Sequence, residues 1–316
     1  TVPAWAFECH AVTFRPDTAG DDPVHVRTVH GDEGADPVLI PPFLEQVANA
    51  AQIAQTFLAD VGGEQDVGTG FDAGGVHGGA ILTFADYALC IVAGRAADGG
   101  TNTSFALTVS IAVEFLSAGK IGIPLEADGE PTQVTGRLAF ARGRITQQGK
   151  IVALWSGVCR HVPRAKAMER KAAAAPARVE LPPQSVPSGF DLLSTASVYS
   201  RHIGPSYARK EVDGATLIQP TLPHMCNSGG ALHGGYMMSF ADSALTRAAG
   251  LVTGMAPSTI SFAAEFLSAG TPTAPLVTRV EVPRHGKTLA FLRGLLEQDG
   301  RKLLSYSATI LLRPKG

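Results

Sequence analysis

The sequence has no excess of basic residues: 26 Lys and Arg face 28 Asp and Glu, for a net charge of -2. Nucleic-acid partners usually call for a basic face, so none is expected. Charge of either sign is scarce, at 17%, while hydrophobic residues reach 45%, the composition of a core-forming chain. No unbroken apolar run attains the roughly 18–20 residues of a bilayer crossing, so no membrane partner is expected. The first 20 residues lack the basic-then-apolar order of a secretory signal. Cysteine is sparse: Cys9, Cys90, Cys159 and Cys226 are the four present. Cys90 and Cys159 lie in apolar segments, which reads as reduced core thiols in a cytoplasmic protein and not as a disulfide scaffold.

What is present is a repeat. Shifting the chain by 156 aligns Ala73–Gly94 with Gly229–Gly250, identical at 11 of 22 positions. A shift of 151 aligns SIAVEFLSAG (Ser110–Gly119) with SFAAEFLSAG (Ser261–Gly270), identical at eight of ten. The same shift pairs Arg142-Gly143 with Arg293-Gly294 and Gly149 with Gly300. The match keeps its order over some 90 residues, so a whole domain has been duplicated. The expected organisation is a first domain over residues 1–163, a linker over 164–188 and a second domain over 189–316.

Each copy reads alike. An apolar stretch follows His-Gly-Gly and ends at glycine, predicting a buried helix over 78–94 and again over 234–250. Alternating, β-branched runs follow, at 103–116, 133–146 and 150–162, then at 259–267, 276–282, 288–297 and 302–312. Asp299-Gly300 is a hairpin turn signal. The fold class predicted is α+β, with an antiparallel sheet wrapped on one buried helix per copy. Upstream, 7–15 and 24–29 read as strands and 41–61 as an amphipathic helix. Within the linker, 167–174 has room for a helical turn or two.

The chemistry lies in the helix. Asp86 is the only side chain charged at neutral pH between Ala80 and Ala93, and Asp242 sits at the same place in the second copy. A carboxylate buried in an apolar helix costs several kcal/mol unless it is paired or solvated. It lies two turns in, too deep for an N-cap. A structural carboxylate bonded to a neighbouring Ser, Thr or Arg is one reading; a catalytic base or nucleophile facing a cleft is the other, and retention in both copies favours it. At the helix start, Gly78-Gly79 and Gly234-Gly235 leave the backbone bare beside free N–H groups and the positive dipole end, which suits the oxygen of a carbonyl. His77 and His233 read as residues that orient that turn.

Eight residues separate Gly78 from Asp86, about 12 Å along one helix at 1.5 Å per residue. The aspartate is therefore too far to act on a carbonyl held at its own helix start. Two such helices lying antiparallel bring Asp86 level with Gly234, and Asp242 level with Gly78.

At this point the residues resemble a known family. Asn227 followed by His233-Gly234-Gly235, then Ala241-Asp242 and Thr259 on the next strand, resembles the hotdog-fold acyl-CoA thioesterases, in particular the branch that includes the phenylacetate-pathway enzymes. The resemblance covers about 90 residues of each copy. It implies a tandem, pseudo-dimeric double hotdog with two sites between the copies. It implies further that a helix-start glycine N–H polarises the thioester carbonyl, while the acidic residue activates water or attacks directly. Carried over by position, one site holds Asn227, Gly234, Asp86 and Thr108, and the other Gly78, Asp242 and Thr259. Phe71 stands where the first copy's Asn is expected, with Asp72 beside it. His77, His233, Gly79, Gly235 and Asp72 complete the expected substrate-binding set.

The expected function is hydrolysis of an acyl-CoA thioester to free acid and coenzyme A, with no cofactor and no metal. Single hotdogs of the family often form tetramers, so a dimer of this double unit is expected. Two rivals stand beside it. Asp72 and His77 have the D-x4-H spacing of hotdog enoyl-CoA hydratases, and a non-catalytic acyl-CoA-binding module would share the fold. His224, Cys226 and His233 are conceivable metal ligands without counterparts in the first copy. Arg142, Arg293, Arg284, His285 and Lys287 are conceivable phosphate contacts, though a solvated strand face fits each as well.

Overall fold

The computed structural model describes residues 24–27, 75–101, 103–163, 184–193, 198–227 and 230–315. The expected strand at 7–15, the expected helices at 41–61 and 167–174, and Phe71 and Asp72, lie outside the described residues. In the first half, β1 (Val24–Arg27) precedes α1 (Gly78–Asp98), β2 (Ser104–Phe115), β3 (Glu126–Val134), β4 (Leu138–Gln147) and β5 (Lys150–Pro163). The second half runs β6 (Asp191–Leu192), α2 (Val198–Ile203), β7 (Tyr207–Lys210) and β8 (Gly214–Gln219). It closes with α3 (Gly234–Thr253), β9 (Ala256–Phe266), β10 (Leu276–His285), β11 (Leu289–Gln298) and β12 (Arg301–Arg313).

The two long helices start where the sequence places them and run past their expected ends. Gly94 and Gly250 lie inside the helices, and the caps are Gly99 and Gly254, whose φ of +63° and +71° only glycine adopts without strain. In α1 an uninterrupted block from Gly79 to Leu89 is buried, as its all-round apolar sequence requires. At 21 residues α1 is also long and apolar enough to cross a membrane, a property the count of unbroken apolar runs missed. Here that apolar surface is covered by protein: α1 packs against β2 to β5 on one side and α3 on the other.

Among the described residues the strands join one antiparallel sheet in the order β1-β3-β4-β5-β2-β9-β12-β11-β10-β8-β7-β6. The halves meet at β2 and β9, where Ala112 pairs with Ala263. These two are equivalent under the shift of 151, so a pseudo-two-fold axis passes between them. The helices obey the same axis: Thr83 and its equivalent Ser239 meet with their hydroxyl oxygens 3.2 Å apart. Two α+β hotdogs thus share one sheet and lay their helices side by side.

The repeated glycines and Arg-Gly pairs acquire physical reasons. A β-carbon on Gly143 would collide with the Trp155 ring, and one on Gly294 with the equivalent Tyr306. Each inner strand therefore keeps a glycine to make room for a buried aromatic. Gly119 and Gly270, the ends of the two matching FLSAG blocks, accept backbone bonds from Val76 and Leu232, one residue before each His-Gly-Gly. The most similar blocks of the repeat are thus in direct contact.

Several expected boundaries change. The run over 133–146 is two strands, because Thr135–Arg137 forms the turn between β3 and β4. β3 itself was not expected: EADGEPTQV carries Gly129 and Pro131 and has little β-branched character. β7 and β8 were likewise not read from the sequence. Gln184, inside the expected linker, is anchored on the second half through bonds to Thr221 and Pro272.

Candidate active site

Each His-Gly-Gly forms a helix start of the same design. His77 and His233 are N-caps in extended backbone conformation, and their Nδ1 atoms accept the N–H of Gly79 at 3.0 Å and of Gly235 at 3.1 Å. A ring nitrogen replaces the usual capping oxygen. Because Nδ1 accepts, the proton of the neutral ring is assigned to Nε2. Burial lowers both imidazoles, His77 to about 4, while the nearby Asp86 carboxylate partly offsets the effect at His233. Both rings are therefore neutral at pH 7. The His77 ring also stacks on Tyr199 of α2, centroids 4.4 Å apart.

The two glycines of each motif have different surroundings. A β-carbon added to Gly78 would stand 2.8 Å from Asp242 Oδ2, and one added to Gly234 would stand 3.1 Å from Asp86 Oδ2. The first glycine of each helix thus faces the carboxylate of the other helix. Its N–H lies in the first turn, outside the helix's own ladder. The second glycines do something else. Gly79 and Gly235 are buried, and a β-carbon there would press to 2.9 Å from Ser239 and 2.6 Å from Thr83. With their N–H groups bonded to the histidines, Gly79 and Gly235 let the two helices touch and offer no donor to a substrate.

The carboxylates are buried, Asp86 at 5% exposure and Asp242 at 3%. Each has one strand threonine as donor: Thr108 Oγ1 to Asp86 Oδ1 at 2.5 Å, and Thr259 Oγ1 to Asp242 Oδ1 at 2.6 Å. Burial raises both pKa values, Asp242 to about 6, against the lowering effect of the threonine bond. At Asp86 the field of His233 opposes the rise as well. Two buried carboxylates with raised pKa, each beside the opening of a helix, are suited to proton abstraction near neutral pH.

The structure brings together Asp86, Thr108, His233 and Gly234 in one cluster, and Asp242, Thr259 and Gly78 in the other, with His77 next to Gly78. Asn227 is exposed and lies on the turn that precedes α3, where its Oδ1 accepts the Ala231 N–H at 3.3 Å. That bond gives the amide a task in shaping the approach to His233. Among the other candidates, Arg142 and Arg293 form exposed ion pairs with Glu130 and Glu281. No group of three or more His, Cys, Asp or Glu among the described residues is placed to hold a metal ion. One neighbour escaped sequence reading: Cys90 Sγ lies 3.2 Å from Thr108 Oγ1. Its position one helical turn past Asp86 is a signal that could have found it.

Comparison with known families bears on the family and the fold. Residues 73–153 match the model of the thioesterase superfamily, and residues 222–312 match that of the acyl-CoA thioesterase N-terminal domain. The chain belongs to the hotdog thioesterase family as a tandem double hotdog. Among curated proteins, none matches it. Among solved structures it is similar to the acyl-CoA thioesterase II TesB2 of Mycobacterium marinum, at 13% identity and TM-score 0.55, over 84% of this chain and 98% of that one. It is also similar to a tesB protein of Mycobacterium avium subspecies paratuberculosis, at 15% identity and TM-score 0.51, over 83% and 100% of the two chains. A hot dog fold protein of Alicyclobacillus acidocaldarius follows at 14% and 0.53, over 83% and 99%. At these identities the likeness concerns the fold, and the double hotdog spans nearly the whole of each relative.

Proposed function

We propose that this double hotdog hydrolyses acyl-CoA thioesters to the free acid and coenzyme A. One observation carries the reading: in both halves a buried carboxylate faces the first glycine of the opposite helix. In the proposed reaction the thioester oxygen accepts the N–H of Gly234, where the positive end of the α3 dipole favours developing negative charge. Asp86, held by Thr108, takes a proton from the water that attacks the carbonyl carbon. The C–S bond then breaks, and the proton passes from Asp86 to the departing thiolate. Gly78, Asp242 and Thr259 repeat the arrangement at the second site. Asn227, which holds the turn before His233, makes the Asp86 site the more active of the two in this proposal. A single turnover in ¹⁸O-water probes direct attack by Asp86, since hydrolysis of the resulting anhydride at the aspartyl carbon would leave label in the carboxylate, which the base role never does.

The dominant test is a screen of coenzyme A thiol release across acyl chain lengths and aryl-CoAs, with Asp86→Ala as control. The proposal expects at least one class to be hydrolysed by the parent protein, with a large loss in the variant. Tight binding of acyl-CoA without thiol release would contradict it. A dimer of double hotdogs is part of the same proposal, and light scattering of the purified protein tests it.

A further inference from the structure

The two carboxylates differ in what stands behind their threonines. Thr108 has one hydroxyl proton, and it goes to Asp86 Oδ1 at 2.5 Å. The contact between Cys90 Sγ and Thr108 Oγ1, at 3.2 Å, must therefore be donated by the thiol. Behind Cys90 lies Cys159, fully buried, in contact with the Cys90 thiol and directly opposite Thr108 in the β2–β5 register. A carboxylate has no proton to give, so the chain has one polarity, from Cys90 to Thr108 to Asp86, with Cys159 packed against the thiol that starts it. Aligned bonds of this kind strengthen one another.

The second half lacks this chain. Thr246 occupies the position of Cys90, and its hydroxyl donates to its own helix, to Asp242 O at 3.0 Å and Ser243 O at 3.1 Å. Ile310 stands opposite Thr259, where Cys159 stands opposite Thr108. The relay at that site ends at the threonine.

We propose that Cys90 is a positioning residue for the Asp86 site: its thiol fixes the Thr108 hydroxyl toward Asp86 and so favours the ionised carboxylate there and not at Asp242. The proposal rests on the thioesterase reading for its kinetic consequence, but its geometry stands apart from it. Contact with Cys159, burial and the charge of Asp86 push the Cys90 thiol well above its ordinary pKa. It stays protonated and acts as a donor, whereas a reactive cysteine would need the opposite shift. The groups facing Asp86 are His233 from α3, Thr108 from β2 and Cys90 from its own helix. Those interacting with Asp242 are Thr259 from β9 and Tyr199 from α2.

The test uses Asp242→Asn, which leaves the Asp86 site as the only source of turnover. Adding Cys90→Ala should raise the midpoint of the acid limb of kcat by about half a pH unit, equivalent to about a threefold loss at pH below the midpoint. KM should stay constant, and Cys90→Ser should restore the parent profile. In the Asp86→Asn background Cys90→Ala should change nothing. A second readout needs no turnover: the Asp86 carboxyl resonance, followed by ¹³C NMR, should titrate at higher pH in Cys90→Ala than in the parent. An unmoved Asp86 titration overturns the relay. A protein that hydrolyses no acyl-CoA overturns the proposed function instead, and leaves the carboxyl titration to decide the relay.

Discussion

Thr83 Oγ1 and Ser239 Oγ stand 3.2 Å apart across the pseudo-two-fold axis, each one turn past a second glycine. Ser239 Oγ also lies 2.9 Å from Gly79 O, 2.8 Å from Gly235 O and 2.6 Å from Tyr199 OH. This pair fixes how far one helix can slide along the other. That register decides which glycine each aspartate meets.

Ser239→Ala should therefore cost more than a surface hydroxyl. It removes the hydroxyl that Tyr199, Thr83 and two helix carbonyls share in the core. A buried network of this kind is worth about 1–3 kcal/mol. Urea unfolding followed by circular dichroism measures it, and a loss below about 0.5 kcal/mol would mean that the network does not hold the helices.

Gly235→Ala should destabilise by overpacking. The added methyl would lie 2.6 Å from Thr83 Cγ2 and 2.9 Å from Thr83 Cα, a backbone atom that cannot swing aside. Overpacking of this kind costs about 1–3 kcal/mol. Gly235→Ala with Thr83→Ser removes the nearest methyl, and thermal unfolding should show part of the loss recovered.

The buried site groups make stability depend on pH in two opposing ways. Asp242 titrates at about 6 in the folded chain against 3.8 for an ordinary carboxyl. The folded state then holds more protons than the unfolded between these values, so this group's contribution falls as pH rises through the window. His77 titrates at about 4 against 6.5, so its contribution rises with pH across nearly the same range. In the parent the two oppose each other. Asp242→Asn should remove the first, raising stability at pH 8 and making it fall more steeply from pH 6.5 to 4. Melting temperatures across that range test this; an unchanged slope would show that Asp242 is ionised throughout.

The repeat makes the duplication and the two helix starts legible in the sequence, and the family resemblance supplies the double hotdog. The 12 Å between Gly78 and Asp86 already pointed to exchange of partners between helices. What the sequence hid has physical causes. The expected helix ends fall about one turn short of the observed ones because Gly94 and Gly250 resemble caps, although a glycine inside a well-packed helix is tolerated. β3 was missed because Gly129 serves the Trp155 ring and Pro131 weakens the strand signal. Gly79 and Gly235 look identical to Gly78 and Gly234 in sequence, yet they face the partner helix and not a carboxylate. Cys90 reads as one more core residue until the strand is folded beside it, since its meaning depends on Thr108.

The central claim is that each site draws its aspartate from one helix and its glycine from the other. Double variants test it within a single chain. Asp86→Asn with Gly234→Ala damages one site only, so its turnover of acyl-CoA should equal that of Asp86→Asn alone. Asp86→Asn with Gly78→Ala damages both sites and should abolish turnover, at least a further tenfold below either single variant. If the second combination retained the activity of Asp86→Asn while the first abolished it, each helix would carry its own site, and the account would be wrong.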